Sequence, residues 1–409
     1  MPTPASPLDA VVPDVLGLED SLILQVAQRA HGRADVIRLY AGESDEPTPG
    51  FIVAAAEQAL RAGHTRYELS RGVPELREEI AAYYRRIYQR PVFSDRVTVT
   101  VGGMQALSQT MLALLGRGDE LLVPVPVWPN IVEATKIARA TPRPVTMSFN
   151  ESRGWYLDLD RLFDAVTAAT RAIFINSPAN PTGWMMTHDE MRAVFEFCRA
   201  RGIWLVSDEV YGRLVFDGLD KAPSLVNLAE PEDRAIITNT LSKNWAMTGW
   251  RLGWLLAPPS LGQVYDNLMQ FGSTGATTFV QHAGIVALRD GDEHVRRATA
   301  QCEVGRDIIC SALQQIPGIK VVRPEAAFYV FFAVQGETDS RALAFDILDK
   351  VGVALAPGRA FGPHGEGWMR LCFGVSHPTL REAARRLQDY FKARGAAGLD
   401  NRQSTLVQS

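Results

Sequence analysis

Between about Arg96 and Ala257 the chain alternates short, nearly all-apolar runs with stretches whose apolar positions recur at helical spacing. Arg96–Val101, Glu120–Pro124, Ala172–Asn176, Trp204–Ser207, Ala235–Thr238 and Leu252–Ala257 have the length and continuous apolarity of strands buried on both faces. Helical spacing follows at Met104–Leu115, from near Trp128, and at His188–Arg201. This alternation predicts an α/β fold, a mostly parallel central sheet sandwiched by helices. Leu16–Ala30 reads as a helix, preceded by a proline-rich arm. After Gly291 a long helix (Glu293–Gln315), strand patterns within Ile319–Val334, a helix at Arg341–Val351, two short strands and a last helix (Pro378–Ala393) predict a smaller α+β domain. The expected organisation is an arm and part of the small domain at 1–45, a large domain at 46–290, a small domain at 291–396 and a flexible tail at 397–409.

A length of 409 residues suits two domains better than one core. Hydrophobic residues make up 46% and charged residues 22%, a globular balance. The net charge of −4 gives no reason to expect nucleic acid as partner. Cys198, Cys302, Cys310 and Cys372 form no CxxC pair, so neither a metal site nor a disulfide framework is expected. The first residues lack a basic, apolar leader, and the longest apolar stretches are too short for a bilayer. A soluble, cytoplasmic protein with no membrane partner is the expectation.

In an open α/β sheet, ligands sit beyond the carboxyl ends of the strands. Those ends carry Gly102-Gly103-Met104, Pro124–Trp128, Asn176–Gly183, Asp208–Tyr211 and Thr240–Lys243. Lys243 offers the primary amine that a cofactor aldehyde requires. Thr240, Ser242 and Arg251 surround it with donors suited to a phosphate, and the Gly-Gly turn opens a helix whose N–H groups add an anion site. Asp208 can hold a pyridinium nitrogen protonated or cap a helix. Tyr211 can reach the same ring, and Asn180 can bond its phenolic oxygen or fix a turn. Trp128 can stack on the ring or fill the core. Arg370, in the apolar run WMRLCFG, must find an anion, either a substrate carboxylate or a structural partner.

From about Leu39 to Gly374, the ordered set YELSRGVPELREEI, VGGMQAL, NSPANPTG, SDEVYG, TLSKNWAMTGWRLGW and MRLCFG resembles the class I/II, fold-type-I aminotransferases of the aspartate aminotransferase superfamily, which use pyridoxal 5′-phosphate. The resemblance implies Lys243 as Schiff-base lysine and proton shuttle, Asp208 on the pyridine nitrogen, Asn180 and Tyr211 on the phenolic oxygen, and Trp128 on the ring face. Gly103 and Met104, through backbone, would form the phosphate cup with Thr240, Ser242 and Arg251. Tyr67 would reach the phosphate from a neighbouring subunit, implying a homodimer with shared sites. Arg370 would bind the substrate α-carboxylate with Asn180, under the Gly42 loop. Trp128 stands where the common loop carries a smaller aromatic, and Met104 where one subgroup reads a distal carboxylate with lysine. The implied reaction moves an amino group between an L-amino acid, neutral or aromatic rather than acidic, and a 2-oxo acid. A C–S β-lyase or aspartate-type transamination is the alternative. A regulatory protein on this fold would need an appended DNA-binding domain, and no basic helix-turn-helix precedes residue 40.

Overall fold

The computed structural model describes residues 6–406, with side chains described through 394. Seven strands form the large sheet: β1 (Val97–Thr100), β2 (Glu120–Val125), β3 (Thr141–Thr146), β4 (Thr170–Asn176), β5 (Trp204–Asp208), β6 (Ala235–Thr240) and β7 (Gly253–Leu256). Their order across the sheet is β1-β7-β6-β5-β4-β2-β3. All run parallel except β7, which pairs antiparallel with β1 and β6. The segment from Leu241 to Leu252 holds no α-helix to carry a crossover, so the chain turns straight back.

Side chains alternate between two cores, which is why the strands read as unbroken apolar runs. Leu122, Ile173, Leu205 and Ile237 face one core with Trp254, while Leu121, Val123, Phe174, Val206 and Ile236 face the other. The edge strand β3 was not expected from the sequence, because Pro142 and Pro144 interrupt its pattern. Proline lacks a ladder donor and is tolerated only at such an edge.

A third core gathers around a four-stranded sheet containing β8 (Ile319–Lys320), β9 (Tyr329–Val334), β10 (Ala356–Pro357) and β11 (Trp368–Cys372). The N-terminal part of the chain joins it, since Ile37–Arg38 pairs parallel with Val353–Ala354. The single helix expected over Leu16–Ala30 is two, Pro13–Leu16 and α1 (Leu22–Ala30). Ser21 caps the second by accepting from Leu24 N at 3.2 Å. Helix α2 (Gly102–Leu114) follows β1, α3 (Asn130–Ile137) follows β2, and α4 (Asp292–Gln314) begins beyond Gly291. The last helix, α5 (His377–Leu406), runs past the expected end at Ala393. The expected tail at 397–409 falls on residues whose side chains or placement lie outside the described residues. Among the described residues no helix is long and apolar enough to cross a membrane.

The large sheet meets the segment leading into β9 at the turn after β4. Gly183 has φ +68°, donates from N to Ala179 O at 3.0 Å and accepts from Ala326 N at 3.1 Å. A Cβ there would lie 2.3 Å from Pro324 Cβ. Gly183→Ala therefore combines left-handed strain with a clash against the Pro324 ring, and we expect a stability loss of about 1–3 kcal/mol. A thermal unfolding midpoint equal to wild type would contradict this.

Candidate active site

The ends of β1, β2, β4, β5 and β6 deliver groups to a cavity of about 490 Å³. At the end of β5, Asp208 is 4% exposed and accepts from Thr238 Oγ1 at 3.1 Å and Asn176 Nδ2 at 3.2 Å. Both partners are neutral. Burial raises its pKa to about 7, opposed by the Thr238 bond and the charge of Lys243. Asn176, at the end of β4, also accepts from Asn180 N at 2.8 Å, which ties the following turn to the sheet.

Lys243 lies on the loop between β6 and β7. Its Nζ donates to Gly42 O at 2.7 Å, and burial lowers its pKa to about 8. On the same loop Thr240 Oγ1 and Ser242 Oγ stand 2.9 Å apart, and Arg251 Nη1 lies 3.5 Å from Ser242 Oγ. Arg251 Nη1 also donates to Thr248 O at 2.6 Å. Gly102 has φ +74°, and a Cβ there would lie 2.3 Å from Arg251 Nη2. Only glycine lets the start of α2 approach this guanidinium. Gly103 and Met104 complete the rim, with Met104 Sδ 3.6 Å from Asn130 Nδ2.

Arg370 on β11 is 2% exposed. Its Nη1 donates to Asn180 Oδ1 at 2.9 Å and its Nη2 to Tyr40 O, while Nε has no partner among the described residues. The guanidinium carbon sits 4.5 Å from the Tyr329 ring centroid and 4.9 Å from that of Phe361. Its protein partners are neutral oxygens, and among the described residues no carboxylate pairs with it. Trp128 and Gly42 also line the cavity. Tyr67 does not: it is 89% exposed and lies outside the cavity lining.

Sequence reasoning missed Tyr329, whose hydroxyl is 2.8 Å from that of Tyr211. A Cβ on Gly42 would fall 1.9 Å from Tyr329 Oη, so this tyrosine also holds the Gly42 loop at contact distance. Its signal was hidden inside an aromatic strand run. Ile23 and Asn130 at the mouth were missed for want of any motif. Glu209 was quoted only as part of SDEVYG; it turns from the cavity and accepts from Ser207 Oγ, Ser224 Oγ and Leu225 N at 2.9, 2.6 and 2.9 Å. These bonds pin the backbone between Asp208 and Tyr211.

The residues fit pyridoxal phosphate. A buried amine, a buried carboxyl with neutral partners, and a hydroxyl-guanidinium cup that excludes even a methyl group face one space. The family pattern of aminotransferase class I and II matches residues 34–387, and the chain belongs to that family. It is a pyridoxal-phosphate-dependent aminotransferase. An aspartate aminotransferase of Pyrococcus horikoshii is 34% identical over 377 residues, covering 91% of this chain and 95% of the relative. An arginine–pyruvate transaminase of Pseudomonas aeruginosa is 34% identical over 356 residues, covering 86% and 89%. Among solved structures, an aromatic aminotransferase from Pyrococcus horikoshii superposes with a TM-score of 0.83 at 31% identity, covering 90% of this chain and 99% of that one.

In the protein stripped of cofactor, Lys243 should react with trinitrobenzenesulfonate as a group titrating near pH 8, because the free base is the nucleophile and burial favours it. Labelling should fall about tenfold per pH unit below that midpoint. Peptide mapping across pH 6.5–10 on the order of half-unit steps checks it, and a midpoint at the ordinary lysine value of 10.5 would overturn it.

Proposed function

We propose that this aminotransferase prefers a neutral amino donor, aromatic or medium aliphatic, and that Lys243 carries the cofactor and moves the donor's α-hydrogen. The observation that carries the preference is the inventory of charge in the cavity. Among the described lining residues the cations are Lys243, Arg251 and Arg370. The first serves the cofactor carbonyl, the second its phosphate and the third the donor's α-carboxylate. What remains toward the mouth is Ile23, Tyr40, Met104, Trp128 and Asn130, which offer apolar surface and one amide.

Bound in this cavity, pyridoxal phosphate supplies a carbonyl that bonds amines and a ring that accepts the electrons of a broken bond. Thr240, Ser242, Arg251 and the backbone N–H groups of Gly103 and Met104 hold the phosphate. Asp208 would keep a proton on the ring nitrogen, and Asn180 and Tyr211, the latter backed by Tyr329, would bond the ring oxygen. Trp128 covers one ring face. Arg370 would orient the α-carboxylate through its fork, using the Nε donor that has no partner among the described residues. Lys243 Nζ, held beside the donor by Gly42 O, takes the α-hydrogen as a free base.

Tyr67 supports a shared site. Its side chain is exposed on this chain, and the phosphate role suits it only across an interface with a second copy. If so, mixing Lys243→Ala with Tyr67→Phe chains yields hybrids with one undamaged site and regained activity. Full activity of a sedimenting monomer would refute this.

The donor preference is checked by kcat/KM for phenylalanine, leucine and aspartate against a common 2-oxo acid. Neutral donors should exceed aspartate. Met104→Lys adds a charge-assisted hydrogen bond for a distal carboxylate, about 1.5–3 kcal/mol, and should shift the ratio toward aspartate roughly ten- to a hundredfold. Wild type preferring aspartate would sink the reading.

A further inference from the structure

A second cavity of about 150 Å³ lies against Lys243, which lines both spaces. Its outer end is formed by Asp45 and Ser376, both exposed, and its inner end by His294, Cys302 and Phe328, all buried. Lys243 Nζ stands 5.9 Å from the Phe328 ring centroid at that inner end. The Gly42 carbonyl that accepts from Nζ lies two positions before Ser44, another wall residue.

The wall carries an unexplained buried donor. His294 is 6% exposed, and its Nδ1 lies 3.3 Å from Arg297 Nη2. A guanidinium can only donate, so Nδ1 accepts and the ring hydrogen sits on Nε2. That N–H has no partner among the described residues. Leaving a buried donor unsatisfied costs about 1–3 kcal/mol, so the fold implies an oxygen there. Ser44, Gln301 and Ser376 make the wall polar, unlike the apolar voids that stay dry. At roughly 30 Å³ per liquid water, the space holds a short chain of molecules.

We propose that this cavity is a water duct through which the amine of Lys243 exchanges hydrogens with bulk solvent while substrate fills the other cavity, His294 being the positioning residue that orders the water. The proposal rests on the reading of Lys243 as the group that takes the α-hydrogen. The chemistry is proton exchange alone. The ammonium formed by that uptake gives one N–H proton to duct water and takes another back, with no electron transfer and no other bond altered.

The test follows the fate of that hydrogen. The holoenzyme is given a neutral donor deuterated at the α-carbon for one turnover, and deuterium retained in the released pyridoxamine phosphate is measured by mass spectrometry. Wild type should lose most of the label. Ala298→Leu, which fills the duct from its wall, and His294→Phe should each raise retention at least about threefold, toward the roughly one-third share set by three interchangeable ammonium hydrogens. Thermal unfolding identifies which variants are folded, and either one suffices. Retention unchanged in a folded variant, or already near one third in wild type, would overturn the duct. A Lys243→Ala protein that still releases α-deuterium at the wild-type rate would instead refute Lys243 as the base. The two failures are thus separable.

Discussion

A primary amine is buried here with a backbone carbonyl, not a carboxylate, as its hydrogen-bond partner, and the site is organised around that constraint. An ion pair between Lys243 and Asp208 would be the simplest way to accommodate both groups. It would also fix each in its charged form and occupy the groups that chemistry needs. Instead Thr238 and Asn176 hold Asp208, and Gly42 holds Lys243. Burial then acts on each separately, pushing the amine toward its free base and the carboxyl toward its acid. Both groups are left poised to change protonation when a ligand arrives.

Much of this was legible because strand ends in an α/β sheet are addresses for chemistry. Asp208, Asn180 and Lys243 stood at breaks in apolar runs, and Arg370 stood inside one, where an unpaired cation is costly. The parallel sheet was legible for the same reason, since two-sided burial erases alternation. What escaped had no contrast with its surroundings. Tyr329 sits among phenylalanines, and its hydroxyl matters only because β9 brings it to Tyr211, from the loop after β5, within one shared core. The edge strand β3 was masked by prolines that only its position tolerates. Gly17–Ser21 interrupts an apolar spacing that continues on both sides, so two helices read as one.

The substrate end of the cavity was the least legible part. Ile23 comes from α1 and Asn130 from α3, each unremarkable within its own segment, while Met104 on α2 stood out only through the family resemblance. Family membership does not decide it either, since the relatives act on acidic, basic and aromatic donors by their names. The cavity groups at strand ends come from the sheet, while Ile23, Met104 and Asn130 come from three separate helices.

The reversed strand β7 has a consequence for how the molecule assembles. By inserting between β1 and β6, it carries Arg251 to the start of α2, so the proposed phosphate cup joins residues far apart in the sequence. Such distant partners close late in folding, because loop entropy must be overcome before they meet. Cofactor binding therefore recognises a finished sheet. Its binding energy falls on the completed state alone and shifts the population away from forms in which β7 is unpaired. Saturation with cofactor then acts as a quality check on folding, and a chain short of it stays open longer to unfolding and proteolysis.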